Sequence, residues 1–417
     1  MKNYILIFLF LILVVSNYTS AQSSSVYSRY GVGDIELGYS PKMISMGELG
    51  IAQLDPDHLV VSNPASWSAL TRTRIELSFG YRGVLISDAN QSNFTSETDF
   101  KGFTIGFPVS RSNGIGVVAG LVPYSRVSYK AVENTISQNT FTPSYTVSYE
   151  GKGGLSKVFL GSSANLPFGF SAGATLDYYF GNQNYLSTVE FDDPDLNINT
   201  IYENNRRATG FGTTLGLISS NIANDLNINF LSDLRVGLSF NYFGKLNTDT
   251  IYTSTSLFLL DTISIAQIEM KIPSRINGGI SFVLSDEYNF NLDFMYQPMS
   301  KFSFNNQNDA NLRDANKFSA AFEYKPKRTM GMTTWEQIVW RCGLSYEQTQ
   351  YIFNGQGINQ YSLFGGMSYP LGIDNTIDLA IQYINRGTTE NNLINENSIR
   401  VYLGVSFGEL WFLNFEK

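Results

Sequence analysis

The chain alternates between apolar and polar residues, with a period of two, in segment after segment from Arg74 to its C-terminal end. The segment 74–82 has one phase formed by Ile75, Leu77, Phe79 and Tyr81 and the other by Arg74, Glu76, Ser78 and Arg82. The same division recurs in 289–296 and 400–407. Because successive side chains of a strand face opposite sides of a sheet, each segment has one apolar and one polar face. The pattern predicts an all-β protein, and its function depends on which face lies inside.

About fourteen such segments follow residue 72, and the linkers between them alternate between short and long. In a soluble sandwich the apolar faces would pack inward, whereas in an outer-membrane barrel they would meet lipid and the polar faces would line the lumen. Long segments, aromatic residues at segment ends and an even strand number favour the barrel. We therefore predict a transmembrane antiparallel β-barrel of about 14 strands.

The amino-acid composition excludes several classes of protein and of binding partner. Charged residues make up only 15% of the chain, yet no run of eighteen apolar residues follows the N-terminal stretch, so a helical membrane bundle is excluded. The net charge of -8 and the absence of a basic cluster argue against nucleic acid as a partner. Cys342 is the only cysteine, which excludes a disulfide scaffold and a thiolate metal cluster.

The first 21 residues have the form of a cleavable signal peptide. Lys2 provides the basic region, residues 5–15 are apolar, and Thr19-Ser20-Ala21 resembles a cleavage site. The apolar stretch is too short to anchor the chain by spanning a bilayer. We expect export and a location in the cell outer membrane.

Residues 22–71 differ from the rest because they are rich in glycine, proline and asparagine and show no sustained alternation. A barrel of fourteen strands encloses a wide interior that has to be filled or used. The predicted organisation is therefore a signal peptide over 1–21, an N-terminal plug (hatch) segment over 22–71 inside the lumen, and a barrel over 72–417.

Two short motifs of this chain are similar to those of a known family. The stretch 44–52, which contains Gly47 and Gly50, is followed by Asn63-Pro64-Ala65. Together they resemble the hatch of the FadL/TodX-like (OMPP1) outer-membrane transport family, and 272–281 resembles a late strand of that family that starts at a proline. The opening 27–34 and the tail 410–412 are more like members from Bacteroidota, although the chain ends in Glu416-Lys417 rather than in an aromatic residue.

The resemblance implies passive uptake of hydrophobic small molecules, fatty-acid-like or aromatic, which leave the lumen sideways through a gap in the wall. In that family the gap accompanies a kink in the third strand, and the third segment of this chain contains Pro123. A proline removes a donor from the ladder between strands, so it belongs at a bulge or a break. Pro123 is the candidate lateral opening; the alternatives are a bulge at the rim or the end of the strand.

The charges of the polar phase are expected to line the lumen: Arg74, Glu76, Arg82, Arg235, Asp293, Glu323, Asp378 and Arg400. They could pair with one another and with the plug, or an arginine could bind an anionic group of a ligand. The only histidine, His58, lies in a turn beside Asp55 and Asp57, with no recognisable nucleophile or metal-loop pattern. We predict a protein that is not an enzyme, with no cofactor and no metal.

Two functions remain open. The first is passive uptake of hydrophobic molecules, with membrane lipid and a hydrophobic ligand as partners. The alternative is an accessory or structural barrel subunit of an outer-membrane secretion or assembly complex, which would bind protein partners in that membrane.

Overall fold

The computed structural model describes residues 25–135, 144–191, 200–256, 259–327, 329, 331–372 and 374–410. The predicted signal peptide lies outside the described residues. The N-terminal segment, here residues 25–71, holds only short elements: strand β1 (Asp34–Ile35), helix α1 (Pro41–Ser45) and 3₁₀ turns at Val26–Arg29 and Pro64–Ala69.

The rest of the chain forms one antiparallel sheet that closes on itself. Its strands are β2 (Thr73–Ser87), β3 (Ser92–Ser110), β4 (Ile115–Thr135), β5 (Tyr145–Asn165), β6 (Ser171–Phe191), β7 (Thr200–Ile218), β8 (Asp233–Phe243), β9 (Lys245–Ser256), β10 (Leu259–Lys271), β11 (Arg275–Leu284), β12 (Tyr288–Gln297), β13 (Ser303–Phe304), β14 (Gln307–Asn308), β15 (Ala315–Tyr324), β16 (Val339–Phe353), β17 (Gln356–Pro370), β18 (Thr376–Gly387) and β19 (Asn395–Glu409). The last strand pairs with the first, from Glu409↔Thr73 to Asn395↔Ser87, and this pairing closes the barrel.

Fourteen strands cross the wall. β8 and β9 are two parts of one crossing interrupted at Gly244, and β10 and β11 are two parts of another interrupted at 272–274. β13 and β14 are two-residue strands in the connection between β12 and β15. The prediction of a 14-stranded antiparallel barrel is confirmed.

The apolar phase faces outward. On β2, Phe79 and Tyr81 are 50% and 41% exposed, whereas Arg74 and Arg82 are buried inside. The same alternation runs along β19, where Ile399 is exposed and Ser398 is buried. Period-two patterning therefore places the charged residues in the interior, as expected for a barrel whose outer face meets lipid.

The barrel has two rims. The first residue of β2, Thr73, and the last residue of β19, Glu409, lie at the same rim, which we call the terminal rim. The connections at this rim are 111–114, 166–170, 219–232, 285–287, 325–338 and 371–375. Three of them carry short helical turns: a 3₁₀ turn (Pro167–Gly169) in the second, α2 (Ile222–Asp225) in the third and a 3₁₀ turn (Thr334–Gln337) in the fifth. The other rim is called the distal rim. Among the described residues, no helix is both long and apolar enough to cross a membrane.

The N-terminal segment packs against inward-facing side chains of many strands. Gly47 has a φ of +80°, and a Cβ there would lie 2.9 Å from the Cβ of Ser319 on β15. Gly50 also has a positive φ, of +62°. The segment therefore turns tightly where it meets the wall, in conformations that glycine adopts most easily.

The motif Asn63-Pro64-Ala65 starts the 3₁₀ turn Pro64–Ala69. The side chain of Asn63 accepts a hydrogen bond from the backbone N–H of Ala65 (3.1 Å), and Pro64 occupies the first position of the turn. The Asn63 amide also donates to the backbone oxygen of Ile51 (2.7 Å). All three motif residues are buried, so the motif fixes the shape of the segment and its approach to β7, where a Cβ at Gly216 would lie 2.0 Å from Asn63 Oδ1.

Candidate functional site at a gap in the barrel wall

The wall is open between β3 and β4. These strands pair from Ser110↔Ile115 to Phe103↔Leu121 and have no paired residues beyond that point. Both strands nevertheless continue toward the distal rim, β3 paired with β2 as far as Ser92 and β4 paired with β5 as far as Thr135. We call the unpaired stretch between β3 residues 92–102 and β4 residues 122–135 the wall gap.

Pro123 lies at the start of the wall gap, two residues past the last pair. The register between β4 and β5 shifts between Pro123↔Ser156 and Ser125↔Leu155, so Tyr124 is an extra residue in β4. Tyr124 and Ser125 are both buried, which reverses the inward phase of the strand at this position. A bulge of this kind bends a strand and ends regular pairing. Pro123, the candidate named from the sequence, thus lies at the end of the gap nearer the terminal rim, beside a bulge.

Two consecutive glycines of β5 face this bulge. Gly154 has a φ of +149°, and a Cβ there would lie 2.1 Å from the backbone oxygen of Ser125. Gly153 has a φ of +110°, and its Cβ would lie 2.0 Å from the backbone oxygen of Asn182. Only glycine allows the neighbouring backbones to come this close. Gly154 therefore lets the bulge of β4 lie close to β5, while Gly153 allows the same close approach of β6.

A cavity of about 610 Å³ occupies the wall gap. Phe100, Leu121 and Phe180 contribute apolar walls, and Glu97, Asp99 and Arg126 contribute charged ones. Phe100 is 37% exposed on the outward side of β3, while Asp99 is buried on the inward side. The cavity therefore has an apolar side toward the exterior of the barrel and a charged side toward the lumen.

The N-terminal segment closes the lumenal side of the gap. β1 pairs with the free edge of β4 as Asp34↔Arg126 and Ile35↔Ser125. The N–H of Glu36 then donates to the backbone oxygen of Tyr124 (2.9 Å). Backbone groups of β4 that have no partner in β3 are thus satisfied by the N-terminal segment.

Glu36 is the centre of an ion cluster behind the gap. Its carboxylate oxygens lie 2.7 Å from Arg82 Nη2 and 2.7 Å from Lys101 Nζ. Burial alone would raise the pKa of the Glu36 carboxyl, but the cations of Lys101, Arg82 and Arg126 outweigh it and hold this pKa well below its usual range. Glu36 is therefore ionised and tied to two strands of the wall.

Other predicted lumen charges also contact the N-terminal segment. Asp293 accepts hydrogen bonds from the backbone N–H groups of Gly50 (3.0 Å) and Ile51 (2.9 Å). Arg74 pairs with Asp57, and Glu323 lies 3.7 Å from Lys42 while also pairing with Arg341 (2.6 Å). In these three cases the side chain contacts protein groups, and no ligand is needed to satisfy it.

Glu76 meets the only histidine. Its Oε1 lies 3.2 Å from His58 Nδ1 and accepts a hydrogen bond from the N–H of Leu59 (3.0 Å). Burial and the nearby cations of Lys42, Arg341, Arg74 and Lys325 hold the pKa of His58 well below its usual range. Burial and these four cations keep His58 neutral, and its Nδ1 lies within hydrogen-bond distance of Glu76.

The remaining predicted lumen charges have different surroundings. Asp378 accepts hydrogen bonds from the hydroxyls of Ser368 and Thr376. Arg235 lies near the terminal rim, where it pairs with Asp233 (2.8 Å). Arg400 is 9% exposed and faces the small cavity that also contains Asp34 and Glu36. These three side chains are not gathered at the wall gap.

Several charges that the sequence analysis did not single out tie the N-terminal segment to the wall. Lys317 on β15 pairs with Glu48, and Arg386 on β18 lies 3.0 Å from Asp34. Lys317 and Arg386 belong to the polar phase of their strands, so the same alternation could have identified them. Asp34 and Glu48 lie in a segment without periodicity, and no sequence signal marked them. Within the described ranges, no group of three or more His, Cys, Asp or Glu side chains is arranged to hold a metal ion.

The closed barrel of fourteen strands has a FadL-like fold, as comparison with solved structures shows. The Ralstonia pickettii toluene transporter TbuX is 15% identical, with a TM-score of 0.60 over 89% of this chain and 99% of that one. A Pseudomonas aeruginosa FadL homologue is 11% identical, with a TM-score of 0.61 over 91% and 99%. The Pseudomonas putida toluene transporter TodX is 16% identical, with a TM-score of 0.59 over 92% and 100%.

At the level of sequence families, residues 1–416 match the family model described as BamG, so the chain belongs to the BamG family. No curated protein matches it. The resemblance of the sequence to FadL/TodX-like barrels is confirmed.

Proposed function

We propose that this chain is an outer-membrane barrel that takes up hydrophobic small molecules laterally, through the wall gap between β3 and β4. The observation that carries the proposal is the cavity of about 610 Å³ at the gap, with Phe100, Leu121 and Phe180 among its walls. A pocket of several hundred Å³ with an apolar side and a few charged groups suits a small, largely hydrophobic ligand. TbuX and TodX, which share the fold, are described as toluene transporters, so aromatic or fatty-acid-like compounds are the class to test.

In this proposal the N-terminal segment acts as the plug. Cavities between the segment and the wall hold only about 40, 10 and 30 Å³. A cavity of about 150 Å³ is needed for a molecule the size of benzene. A ligand in the wall gap therefore reaches the terminal rim, which would face the periplasm, only if the N-terminal segment moves.

The proposal is tested at Pro123. Pro123→Val should restore a backbone donor at the gap, favour pairing toward β3 and reduce dye uptake several-fold. Uptake is measured as entry of N-phenyl-1-naphthylamine into vesicles that contain the purified barrel. Pro108→Val is the matched control, because Pro108 lies on β3 where that strand is still paired with β4. Equal uptake by the Pro123 variant and the wild type would remove the lateral route.

A second candidate function, an accessory subunit that binds a protein partner, is supported by the terminal rim. Turns at the periplasmic rim of outer-membrane barrels are usually short, but 219–232 and 325–338 are long loops that flank the turn 285–287. Phe230 and Trp335 in these loops are 72% and 75% exposed, and Phe168 in the turn 166–170 is 91% exposed. Large exposed apolar side chains that are gathered on one rim favour an interaction surface.

The second candidate is tested by purifying the tagged barrel from native membranes in mild detergent. A partner present in equal amount, cross-linked from photoreactive residues at Phe230 and Trp335, would establish the subunit function. The triple variant Phe168→Ser, Phe230→Ser, Trp335→Ser should then release it while the barrel stays folded. Wild-type uptake in vesicles without any partner would favour the transporter instead.

A further inference from the structure

The two sides of the wall gap are joined by side chains where the backbone ladder is missing. Arg126 on β4 reaches across the gap to β3, with Nη1 2.8 Å from Glu97 Oε1 and Nη2 2.7 Å from Asp99 Oδ2. Its Nε lies 4.0 Å from Glu36 Oε1 in the N-terminal segment. One guanidinium on β4 thus pairs with two carboxylates of β3 and lies near a third carboxylate in the N-terminal segment. Arginine suits this arrangement because its planar group donates in several directions at once.

We propose that Arg126 is the clasp of a lateral gate: it holds β3 against β4 across the wall gap, and its release lets the gap widen. This inference rests on the proposed lateral route and names its regulation. Opening would break ion pairs between β3 and β4 but no backbone hydrogen bond between these two strands, since no β3–β4 pairs exist beyond Phe103↔Leu121. Backbone pairing on the outer sides of the gap, to β2 and to β5, would stay intact.

The position of Arg126 in the ion cluster distinguishes it from the other cations. Lys101 and Arg82 are only 1% and 2% exposed, and both pair with Glu36 in the interior of the barrel. The Arg126 side chain is 19% exposed and lines the cavity. Loss of Arg126 therefore leaves Glu36 paired with two cations, so the N-terminal segment keeps its anchor while the direct ion pairs between β4 and β3 are lost.

The partial exposure of the clasp also makes it sensitive to salt. Ion pairs that solvent reaches are screened at high ionic strength, whereas fully buried pairs are screened much less. We expect about 1 M salt to weaken the Arg126 contacts selectively, because the Lys101 and Arg82 contacts behind them are shielded. Wild-type protein can therefore be tested without any substitution at the clasp.

The gate is tested by measuring the width of the gap. Spin labels are placed at Phe94 on β3 and Val132 on β4, both exposed, in a Cys342→Ala background, and their distance distribution is recorded in nanodiscs. In Arg126→Gln the distribution should broaden and shift to longer distances, and Arg126→Lys should give an intermediate shift. The control is Lys130→Gln, which removes a cation that pairs with Glu150 on β5, on the other side of β4 (2.8 Å).

The outcomes separate the gate from the transport proposal. A wider gap in Arg126→Gln, with N-phenyl-1-naphthylamine uptake increased several-fold over Lys130→Gln, supports both. A wider gap with no uptake by any variant supports the gate and overturns the transport proposal. An unchanged distance distribution in Arg126→Gln and in wild type at high salt overturns the gate, whatever the uptake. If Arg126→Gln does not fold, the salt series on the wild type decides.

Discussion

Asp293, on the inner face of β12, accepts hydrogen bonds from the consecutive backbone N–H groups of Gly50 and Ile51, at 3.0 and 2.9 Å. Asp293 is buried, so both N–H groups depend on this carboxylate. A buried donor left without its acceptor costs roughly 1–3 kcal/mol. The contact therefore fixes the tight turn of the N-terminal segment to the middle of one strand.

We predict that Asp293→Ala loosens the N-terminal segment without opening the barrel. Loss of one acceptor for two buried donors should lower the free energy of unfolding by roughly 2–5 kcal/mol. Limited proteolysis should cut residues 25–71 faster, while the barrel still migrates as the compact, heat-modifiable form on gels. The control is Asp249→Ala, which removes an exposed carboxylate on β9 that accepts a hydrogen bond from the Gln267 side chain (3.0 Å). Equal proteolysis of the two variants would contradict the prediction.

Gly47 gives a second prediction. Gly47→Ala should be destabilising for two reasons, the positive φ of +80° and the contact of 2.9 Å between the new Cβ and Ser319. Gly355→Ala is a matched control, because Gly355 has a φ of +76° but nothing within 4 Å of a Cβ. The backbone strain is common to both, so the difference in the free energy of unfolding, roughly 1–3 kcal/mol, reports the contact alone. Denaturant titration in detergent measures it, and similar losses would show that the segment does not press on β15.

A third prediction concerns Lys317, a fully buried cation that pairs with Glu48 and lies 3.6 Å from Glu347. Lys317→Met should cost roughly 3–5 kcal/mol, because Glu48 would stay buried without its cation. The double variant Lys317→Met, Glu48→Gln should recover a large part of that loss, since the amide can remain hydrogen-bonded to Gln382. A double variant that is as unstable as the sum of the single ones would contradict coupling between the two groups.

The barrel itself was predictable from the sequence because its signal is local. A period of two in segments such as 74–82 requires only that neighbouring side chains face opposite sides, and burial of Arg74 and Arg82 follows from that. The wall gap was only partly predictable. Pro123 marks a strand that cannot pair regularly, but the bulge that follows it also packs closely against Gly154 of β5, about thirty residues away in the chain.

The ion cluster behind the gap was not predictable for a different reason. Glu36 lies in a segment without periodicity, so the sequence gives no indication of which strands it meets. Its partners Arg82, Lys101 and Arg126 come from three successive strands, β2, β3 and β4, and nothing in the sequence of the N-terminal segment indicates that Glu36 lies behind these strands. Arg82 was expected to face the lumen, but its contact with Glu36 depends on how the N-terminal segment folds inside.

The last prediction is a dependence of stability on pH that comes from His58. Burial and surrounding cations hold the pKa of His58 well below its ordinary value of 6.5, so the folded protein keeps the ring neutral. The unfolded chain protonates it near 6.5, so below that pH the unfolded state binds more protons and the free energy of unfolding falls, by at most about 1.4 kcal/mol per pH unit. His58→Asn keeps a donor for Glu76 but cannot titrate. Between pH 6.5 and 5 the variant should therefore lose less stability than the wild type, as measured by urea unfolding in detergent. Equal slopes would mean that His58 carries a proton in the folded barrel.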